Sequence, residues 1–195
     1  MTYYDNNAEQ FYNDTVDLDL SALHSRFLNG LSPGAHLLDA GCGSGRDALA
    51  FLQAGFTVSA FDASPMLAAL ASKHTGLQVA NKCFEDVAEV EAYDAIWCCA
   101  SLLHVPANDM VPTLRKLWTA LKSKPNNAPR SSLYMSFKHG NTERVSAGRH
   151  FTDATPSLVR HWLSFLPDCF HADIWVTQDV RSIDQQWVNV IAFKG

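Results

Sequence analysis

Apolar residues along this chain recur in two alternating patterns, which predict helices and strands in turn. Over residues 18–28 they recur at helical spacing, and Gly30 follows as a stop signal. The next apolar run, residues 36–39, is short and leads into a glycine turn, as a strand does. Ser64-Pro65 and Thr155-Pro156 each supply an N-cap followed by proline at the first helical position. Continued along the chain, the pattern predicts helices over 18–28, 47–54, 66–73, 109–121 and 157–166, and strands over 36–39, 57–61, 77–80, 93–99, 133–137, 174–178 and 187–193.

Strands that alternate with helices predict a parallel sheet covered by helices on both faces. Only residues 179–186 separate the last two strands, too few for a crossover helix, so these strands should pair antiparallel as a hairpin. We therefore predict an α/β fold with a doubly wound, Rossmann-like, mostly parallel seven-stranded sheet and a C-terminal antiparallel hairpin. The 195 residues fit one domain, 1–195, within which 1–30 form an N-terminal lid or helical segment. Residues 122–132, rich in Pro, Asn and Ser, read as an exposed loop.

Composition narrows the function classes. A chain that is 47% hydrophobic and 18% charged is globular and not disordered. With 15 Lys+Arg against 20 Asp+Glu and no basic run, neither nucleic acid nor an anionic membrane surface is an expected partner. No apolar stretch is long enough to span a bilayer, and no signal peptide is visible. Five cysteines without a CxxC pair predict reduced thiols in a cytoplasmic protein, and no metal site.

The strongest chemical signal is a glycine-rich turn, LLDAGCGSGRD, over residues 37–47. Glycines in such a turn accept positive φ, and the amides at the helix start can face an anion or a polar group. Arg46 stands where a dinucleotide fingerprint needs its last glycine, and no Lys-Ser/Thr pair follows, so neither a dinucleotide loop nor a P-loop is predicted. An acid before the first glycine would attract a cationic ligand. The remaining pattern is Asp39, Gly41, Gly43 and Gly45.

Two further pieces follow in order. Asp62 ends the second predicted strand, where a carboxylate can accept from both hydroxyls of a ribose. Phe84-Glu85-Asp86 follows the third strand, and its acids could accept from an exocyclic amine while Phe84 packs on a base. The alternatives are that the two aspartates only cap helices, that the glycines only make a tight turn, and that Phe84 belongs to the core.

These residues together resemble class I S-adenosylmethionine (SAM) dependent methyltransferases over nearly the whole chain. Small bacterial methyltransferases of the tellurite-resistance type are especially similar, since they too carry Gly-x-Gly-Arg followed by a polar residue. The resemblance implies that the glycine turn holds the methionine part of SAM, that Asp62 binds the ribose, and that Glu85 and Asp86 reach the adenine. Where the family usually has Lys-Pro-Gly-Gly, this chain has the Gly-free segment 122–132, read as an insertion far from the cofactor. The implied cofactor-binding set is Asp39, Gly41, Gly43, Gly45, Arg46, Asp62, Ala63, Met66, Phe84, Glu85, Asp86, Ala100 and Ser101.

The resemblance also implies that the end of the fourth strand faces the reacting methyl group. Residues 100–103 lack the Asn/Asp-Pro-Pro-aromatic motif of enzymes that methylate nucleic-acid amines, which argues against that acceptor. His104 is the titratable side chain of this stretch and the candidate catalytic base; the alternative is a histidine that only positions the loop.

Two other segments are candidates for acceptor or lid contacts. Lys138, Arg144 and Arg149 cluster after the fifth strand, which favours an anionic acceptor such as a carboxylate, thiol or metalloid oxyanion; the alternative is a solvated basic loop. The aromatic-rich segment 3–12 resembles a lid over the cofactor, with Tyr12 and Thr15 as candidate contacts; the alternative is a strand or helix docked on the body.

The function predicted from the sequence is methyl transfer from SAM to a small-molecule acceptor. A non-catalytic SAM-binding regulatory module is the alternative. A nicotinamide-dependent oxidoreductase is disfavoured by Arg46.

Overall fold

Nine strands organise the computed structural model, which describes residues 3–125, 129–180, 182 and 184–195. Seven of the described strands form one sheet, and two form a separate hairpin. The strands are β1 (His36–Ala40), β2 (Thr57–Asp62), β3 (Ala80–Asn81), β4 (Ala95–Cys98), β5 (Ser131–Lys138), β6 (Glu143–Ser146), β7 (Arg149–Thr152), β8 (Cys169–Gln178) and β9 (Gln186–Lys194).

The large sheet has the order β3-β2-β1-β4-β5-β9-β8. Strands β1 to β5 pair in parallel, whereas β9 runs antiparallel to both of its neighbours, with Val190 opposite Met135 on β5 and Ile174 on β8. This confirms the predicted doubly wound sheet with its C-terminal hairpin. The carboxyl ends of β1, β2, β4 and β5 therefore meet at one edge, where ligands of such sheets bind.

The described helices lie on both faces of the sheet. Ser64 and Thr155 accept hydrogen bonds from the Leu67 and Leu158 amides, so both predicted cap-plus-proline signals start helices. The helices are α1 (Tyr3–Asn6), α2 (Ala8–Thr15), α3 (Ser21–Leu28), α4 (Arg46–Gln53), α5 (Pro65–Thr75), α6 (Ala107–Ala120) and α7 (Pro156–Leu163). No helix among these described segments is long and apolar enough to cross a membrane.

The hydrophobic core divides into two clusters because strand residues alternate between faces. On β1, Leu38 packs with α6 and α7, while the adjacent Leu37 packs with α3, α4 and α5. Trp97 and Tyr134 stack on the second face, with ring centroids 3.7 Å apart. The core thus holds β1 and β4 rigidly at the centre, where the polar ends of the strands form the site.

Several predicted boundaries differ from the structure: the helix predicted over 18–28 begins at Ser21, the helix predicted over 157–166 ends at Leu163, and the strand predicted over 174–178 begins at Cys169. The predicted strand 77–80 is reduced to Ala80–Asn81, because side chains of α5 accept the preceding amides: Thr75 bonds the Leu77 amide and Ser72 the Val79 amide. The predicted strand 93–99 is paired only over Ala95–Cys98, apart from an isolated bridge at residue 93. The predicted loop 122–132 ends earlier, since its last two residues open β5, and its residues 126–128 lie outside the described part of the chain.

The β6–β7 hairpin was not predicted. Its strands are joined at Ala147 and Gly148, both with positive φ (49° and 73°), as a two-residue hairpin turn requires. The basic residues Arg144 and Arg149 therefore lie on paired strands and not on a solvated loop, which was the alternative interpretation of the sequence. Pairing fixes their side chains on defined faces of the hairpin.

Candidate functional site

A cavity of about 1070 Å³ opens beyond the carboxyl ends of the central parallel strands. Its walls come from the glycine turn after β1, the ends of β2, β4 and β5, the α1–α2 segment and the β6–β7 hairpin. Single-ligand pockets span roughly 300–1,000 Å³, so this one has room for a cofactor and a second small molecule. No group of three His, Cys, Asp or Glu among the described residues could hold a metal ion.

The glycine turn is shaped by close approach of its neighbours. Gly41 has φ +76°, and a Cβ there would lie 2.6 Å from the Ser101 Cβ atom. Gly43 has φ +55°, and a Cβ there would lie 3.0 Å from the Phe11 ring of α2. Ser101 is held in place by donating to the Ala40 carbonyl at 2.7 Å. Glycine is therefore required at both positions for the β4 loop and α2 to close on the turn.

Asp62 joins the turn to the cavity wall. Its two carboxylate oxygens accept from the amides of Gly43 (2.8 Å) and Ser64 (2.9 Å). Burial raises the pKa of Asp62, and the nearby charge of Asp5 on α1 raises it further, while the two amides oppose the shift. Because each carboxylate oxygen has two lone pairs, Asp62 keeps the capacity to accept from a ligand's hydroxyl groups.

The wall beside Asp62 is aromatic. Phe84 packs edge-on against Phe61 of β2, with centroids 5.5 Å apart, and lies near Gly41. Glu85 follows Phe84 in the same wall. The predicted residues Arg46, Ala63, Ala100 and Ser101 also line this half of the cavity.

Six predicted site residues do not line the cavity, within the described residues. Asp39 is buried in the core beside the turn, where it accepts the Ala48 amide and its other oxygen has no hydrogen-bond partner. Burial and the Asp47 charge raise its pKa well above the usual value, so it is poorly placed to attract a cationic ligand. Gly45 faces α5 instead, since a Cβ there would lie 2.9 Å from Thr75.

The other four predicted site residues lie outside the cavity wall, and three of them are bonded to other side chains or backbone groups. Met66 is half exposed near the start of α5. Asp86 accepts the Cys83 amide at 2.8 Å and caps a short 3-10 turn. The Tyr12 hydroxyl bonds His74 at 3.0 Å, and Arg144 is ion-paired with Asp153. The companion lid candidate, Thr15, does line the cavity, with its hydroxyl 3.1 Å from that of Ser44.

Arg46 is fixed by a buried network around Asp47. The carboxylate accepts from Arg46 Nε (2.7 Å) and Nη2 (2.8 Å), from His24 Nε2 (2.9 Å) and from Trp97 Nε1 (2.8 Å). Burial alone would raise the pKa of Asp47, but the bonds from His24 and Arg46 lower it overall. The network holds the Arg46 guanidinium as a rigid part of the cavity wall.

His104 is bonded through both ring nitrogens. Nδ1 lies 2.6 Å from the His150 carbonyl, which can only accept, so Nδ1 carries the proton. Burial lowers the pKa of His104, and the charges of Arg149 and Lys138 lower it further, which favours the neutral ring. Its Nε2 then offers a lone pair, to which the Tyr4 hydroxyl donates at 2.7 Å. This is the state that a general base needs.

Lys138 and Arg149 share one aromatic side chain in the cavity wall. Lys138 Nζ and Arg149 Cζ each lie 5.1 Å from the Phe151 ring centroid, and Arg149 also covers the Tyr3 ring at 4.1 Å. Arg149 Nε is buried without a hydrogen-bond partner. Burial lowers the pKa of Lys138, as do the neighbouring arginines. The structure thus brings two of the three predicted cations to the cavity.

Sequence reasoning missed Tyr3 and Tyr4 as contacts. It noted the aromatic N-terminal segment but selected Tyr12, which lies on the other side of α2. A periodic signal covers only residues 8, 11 and 15, which lie on one face of α2; α1, which carries Tyr3 and Tyr4, is too short to show one.

Comparison with known proteins agrees with this architecture. Residues 37–124 match the family described as "Methyltransferase domain". No curated protein matches the chain.

Several solved structures share the fold over almost the whole chain. One is 1,6-didemethyltoxoflavin-N1-methyltransferase of Burkholderia thailandensis, with bound 1,6-didemethyltoxoflavin and S-adenosylhomocysteine (SAH): TM-score 0.72, 20% identity, 98% of this chain and 87% of that one covered. Magnesium protoporphyrin IX methyltransferase of Synechocystis PCC 6803, with bound SAM, has TM-score 0.67, 18% identity and coverage of 100% and 85%. The N-methyltransferase NodS of Bradyrhizobium japonicum WM9, with SAH, has TM-score 0.68, 14% identity and coverage of 98% and 99%. The fold is that of these proteins and, with the domain match, it supports a SAM-dependent methyltransferase.

Proposed function

We propose that the protein transfers a methyl group from SAM to a small-molecule acceptor that carries negative charge. The observation that carries this proposal is that one cavity joins a glycine turn and Asp62 at one end to Lys138 and Arg149 at the other. A binding module would need only the first half. The second half gives a reaction partner a place to lie.

The residues of the first half fit SAM. Gly41 and Gly43 leave open backbone where any side chain would collide with its neighbours, so a ligand can approach the turn closely. Asp62 would accept from the ribose hydroxyls, and Phe84 with Glu85 would hold the adenine. Bound there, SAM supplies an electrophilic methyl group on a positively charged sulfur.

The chain's own residues supply position and a base. Methyl transfer is an in-line displacement, so holding the acceptor close to the methyl carbon is a large part of catalysis. His104 would take a proton from an acceptor that needs to lose one. Lys138 and Arg149 would hold its negative charge. Residues of α1 and α2 line the cavity and would exclude water from it.

The five cysteines are all free thiols, which supports a cytoplasmic setting.

The test begins with binding. Titration with SAM, SAH and NAD should give binding of the first two and none of NAD. A screen with tritiated-methyl SAM over carboxylates, phenols, thiols and metalloid oxyanions, tellurite included, should then label an anionic acceptor. Binding of SAM with no transfer to any probe would favour a non-catalytic SAM-binding module.

A further inference from the structure

We infer that the acceptor carries two groups: an acidic hydroxyl, phenolic or enolic, that docks on His104 Nε2, and an anionic group that docks on Lys138 with Arg149. The inference rests on the proposed function and deepens it by naming the acceptor class.

In the structure, the position proposed for the acceptor's hydroxyl group is occupied by a hydroxyl of the protein itself. The Tyr4 hydroxyl donates to His104 Nε2 at 2.7 Å and also hydrogen-bonds Arg149. A phenol therefore fits this position, with a base on one side of its oxygen and a cation on the other. An acceptor hydroxyl would take the place of this Tyr4 hydroxyl.

The acceptor's anionic group would dock on two cationic side chains, Lys138 and Arg149. Within the described residues, neither Lys138 nor Arg149 forms an ion pair, although Asp153 and Asp179 lie near enough to favour the Lys138 charge. Arg144 provides the contrast. It lies 5.3 Å from the same Phe151 ring, but it is ion-paired with Asp153 and does not line the cavity.

The two ends are close enough for one small molecule. The His104 ring centroid lies 5.0 Å from that of Phe151, and Lys138 Nζ lies 5.1 Å from it. The His104 ring centroid and Lys138 Nζ are therefore no farther apart than these two distances added. A single ring with a hydroxyl and a carboxylate spans such a gap.

The chemistry balances for this class. His104 Nε2 takes the hydroxyl proton, the oxygen lone pair forms the bond to the methyl carbon, and the carbon–sulfur bond breaks with its electron pair left on sulfur. The positive charge moves from sulfur to the imidazolium, whose Nδ1 keeps its proton and donates it in the hydrogen bond to the His150 carbonyl. Arg149 stabilises the negative charge that develops on the oxygen. A thiolate or a metalloid oxyanion would leave this oriented base unused.

Binding to the SAH-saturated protein tests the inference without turnover. The probes are 4-hydroxybenzoate, benzoate and phenol, measured by calorimetry at pH 7. We expect 4-hydroxybenzoate to bind at least about tenfold more tightly than either one-group probe, since each end adds a charge-assisted contact. Lys138→Met should remove this advantage, bringing 4-hydroxybenzoate down to the affinity of phenol. Arg160→Met deletes a charge from an exposed position of α7 outside the cavity and should change no affinity.

A spectroscopic arm isolates the base. The ultraviolet difference spectrum of bound 4-hydroxybenzoate should show its hydroxyl ionising at lower pH than in solution, and His104→Gln should abolish that shift. Equal affinity for the three probes, no binding of any of them, or a phenol that ionises normally in the wild type would each overturn the inference. Failure of the protein to bind SAH would instead count against the proposed function.

Discussion

Asp62 is a residue with two tasks, since it holds the glycine turn through the Gly43 amide and faces the cavity. Asp62→Asn replaces one acceptor oxygen with a donor, so it should weaken SAM binding by about 1–3 kcal/mol in titration calorimetry. Asp86→Asn is the matched control, because Asp86 also accepts a backbone amide but lies outside the cavity wall, among the described residues. An unchanged SAM affinity in Asp62→Asn would show that the ribose assignment is wrong.

Asp47 makes stability depend on pH. Its pKa is lowered in the folded protein, so its contribution is complete above the ordinary carboxyl pKa and is lost as pH falls toward the folded value. Asp47→Asn leaves the Arg46 charge buried without its partner and should cost about 3–5 kcal/mol at pH 7. In urea unfolding, the gap to wild type should narrow as pH is lowered from 5 to 3.

The control for this prediction is Asp17→Asn, at an exposed position, which should stay within about 0.5 kcal/mol of wild type. A gap that stays constant with pH would contradict the assignment of a lowered pKa to Asp47.

At the residue scale, the position of a residue at a strand end predicted whether it lies at the cavity, mainly where the backbone itself forms the cavity wall. Gly41, Gly43, Asp62 and Phe84 lie at or after strand ends, and the structure places these four at the cavity, whereas Gly45 faces α5. Asp39 also follows this rule, yet its side chain points into the core because alternate residues of β1 face opposite sides. The sequence pattern predicts where the strand ends, but it does not predict in which direction the Asp39 carboxylate points.

At the scale of elements, α2 and the glycine turn are fitted to each other. In Gly43→Val the new side chain would meet the Phe11 ring at a left-handed position, so α2 should be pushed from the turn. We expect the free energy of SAM binding to weaken by more than the free energy of unfolding decreases. Gly55→Val separates the causes, because Gly55 has φ +87° but a Cβ there meets nothing within 4 Å.

Backbone strain should therefore lower the melting temperature of both glycine variants, while only Gly43→Val loses SAM binding. Normal SAM binding by Gly43→Val would count against the fit of α2 on the turn.

The elements that the sequence did not predict are short or held by side chains. The β6–β7 hairpin has four-residue strands, and its turn contains a single glycine beside Ala147, so the usual hairpin signal is weak. Helix α1 has four residues, too few for a periodic pattern. Both elements nevertheless supply the acceptor half of the cavity.

The whole molecule depends on β9, which follows β8 in sequence but lies between β5 and β8 in the sheet. Val190→Pro introduces a residue that cannot donate to the ladder and is not tolerated in a central strand. We expect loss of cooperative unfolding, measured by circular dichroism in urea. Phe170→Ala, at a side chain that is 68% exposed on the edge strand β8, should leave unfolding unchanged. A cooperative Val190→Pro protein of wild-type stability would contradict the central role of β9.

The overall topology was predictable because the order of elements and one short connection determine it. In the acceptor half, His104, Lys138 and Arg149 were predicted as candidates. Tyr4 and the meeting of these four side chains were not predicted, because the side chains come from four separate elements. Their meeting depends on the β6–β7 hairpin and α1, which have no strong local signal.

The hydrogen bond from the Tyr4 hydroxyl to His104 also affects how fast water can react with SAM when no acceptor is bound. A water molecule is the most abundant competing nucleophile in any such cavity, and a free imidazole nitrogen would activate it. While Tyr4 donates to Nε2, that nitrogen has no lone pair left for water. Tyr4→Phe keeps the ring but removes the hydroxyl, so we expect it to raise the acceptor-independent conversion of SAM to SAH, measured by chromatography. Tyr4, which an acceptor must displace, would thus protect SAM from hydrolysis until an acceptor binds.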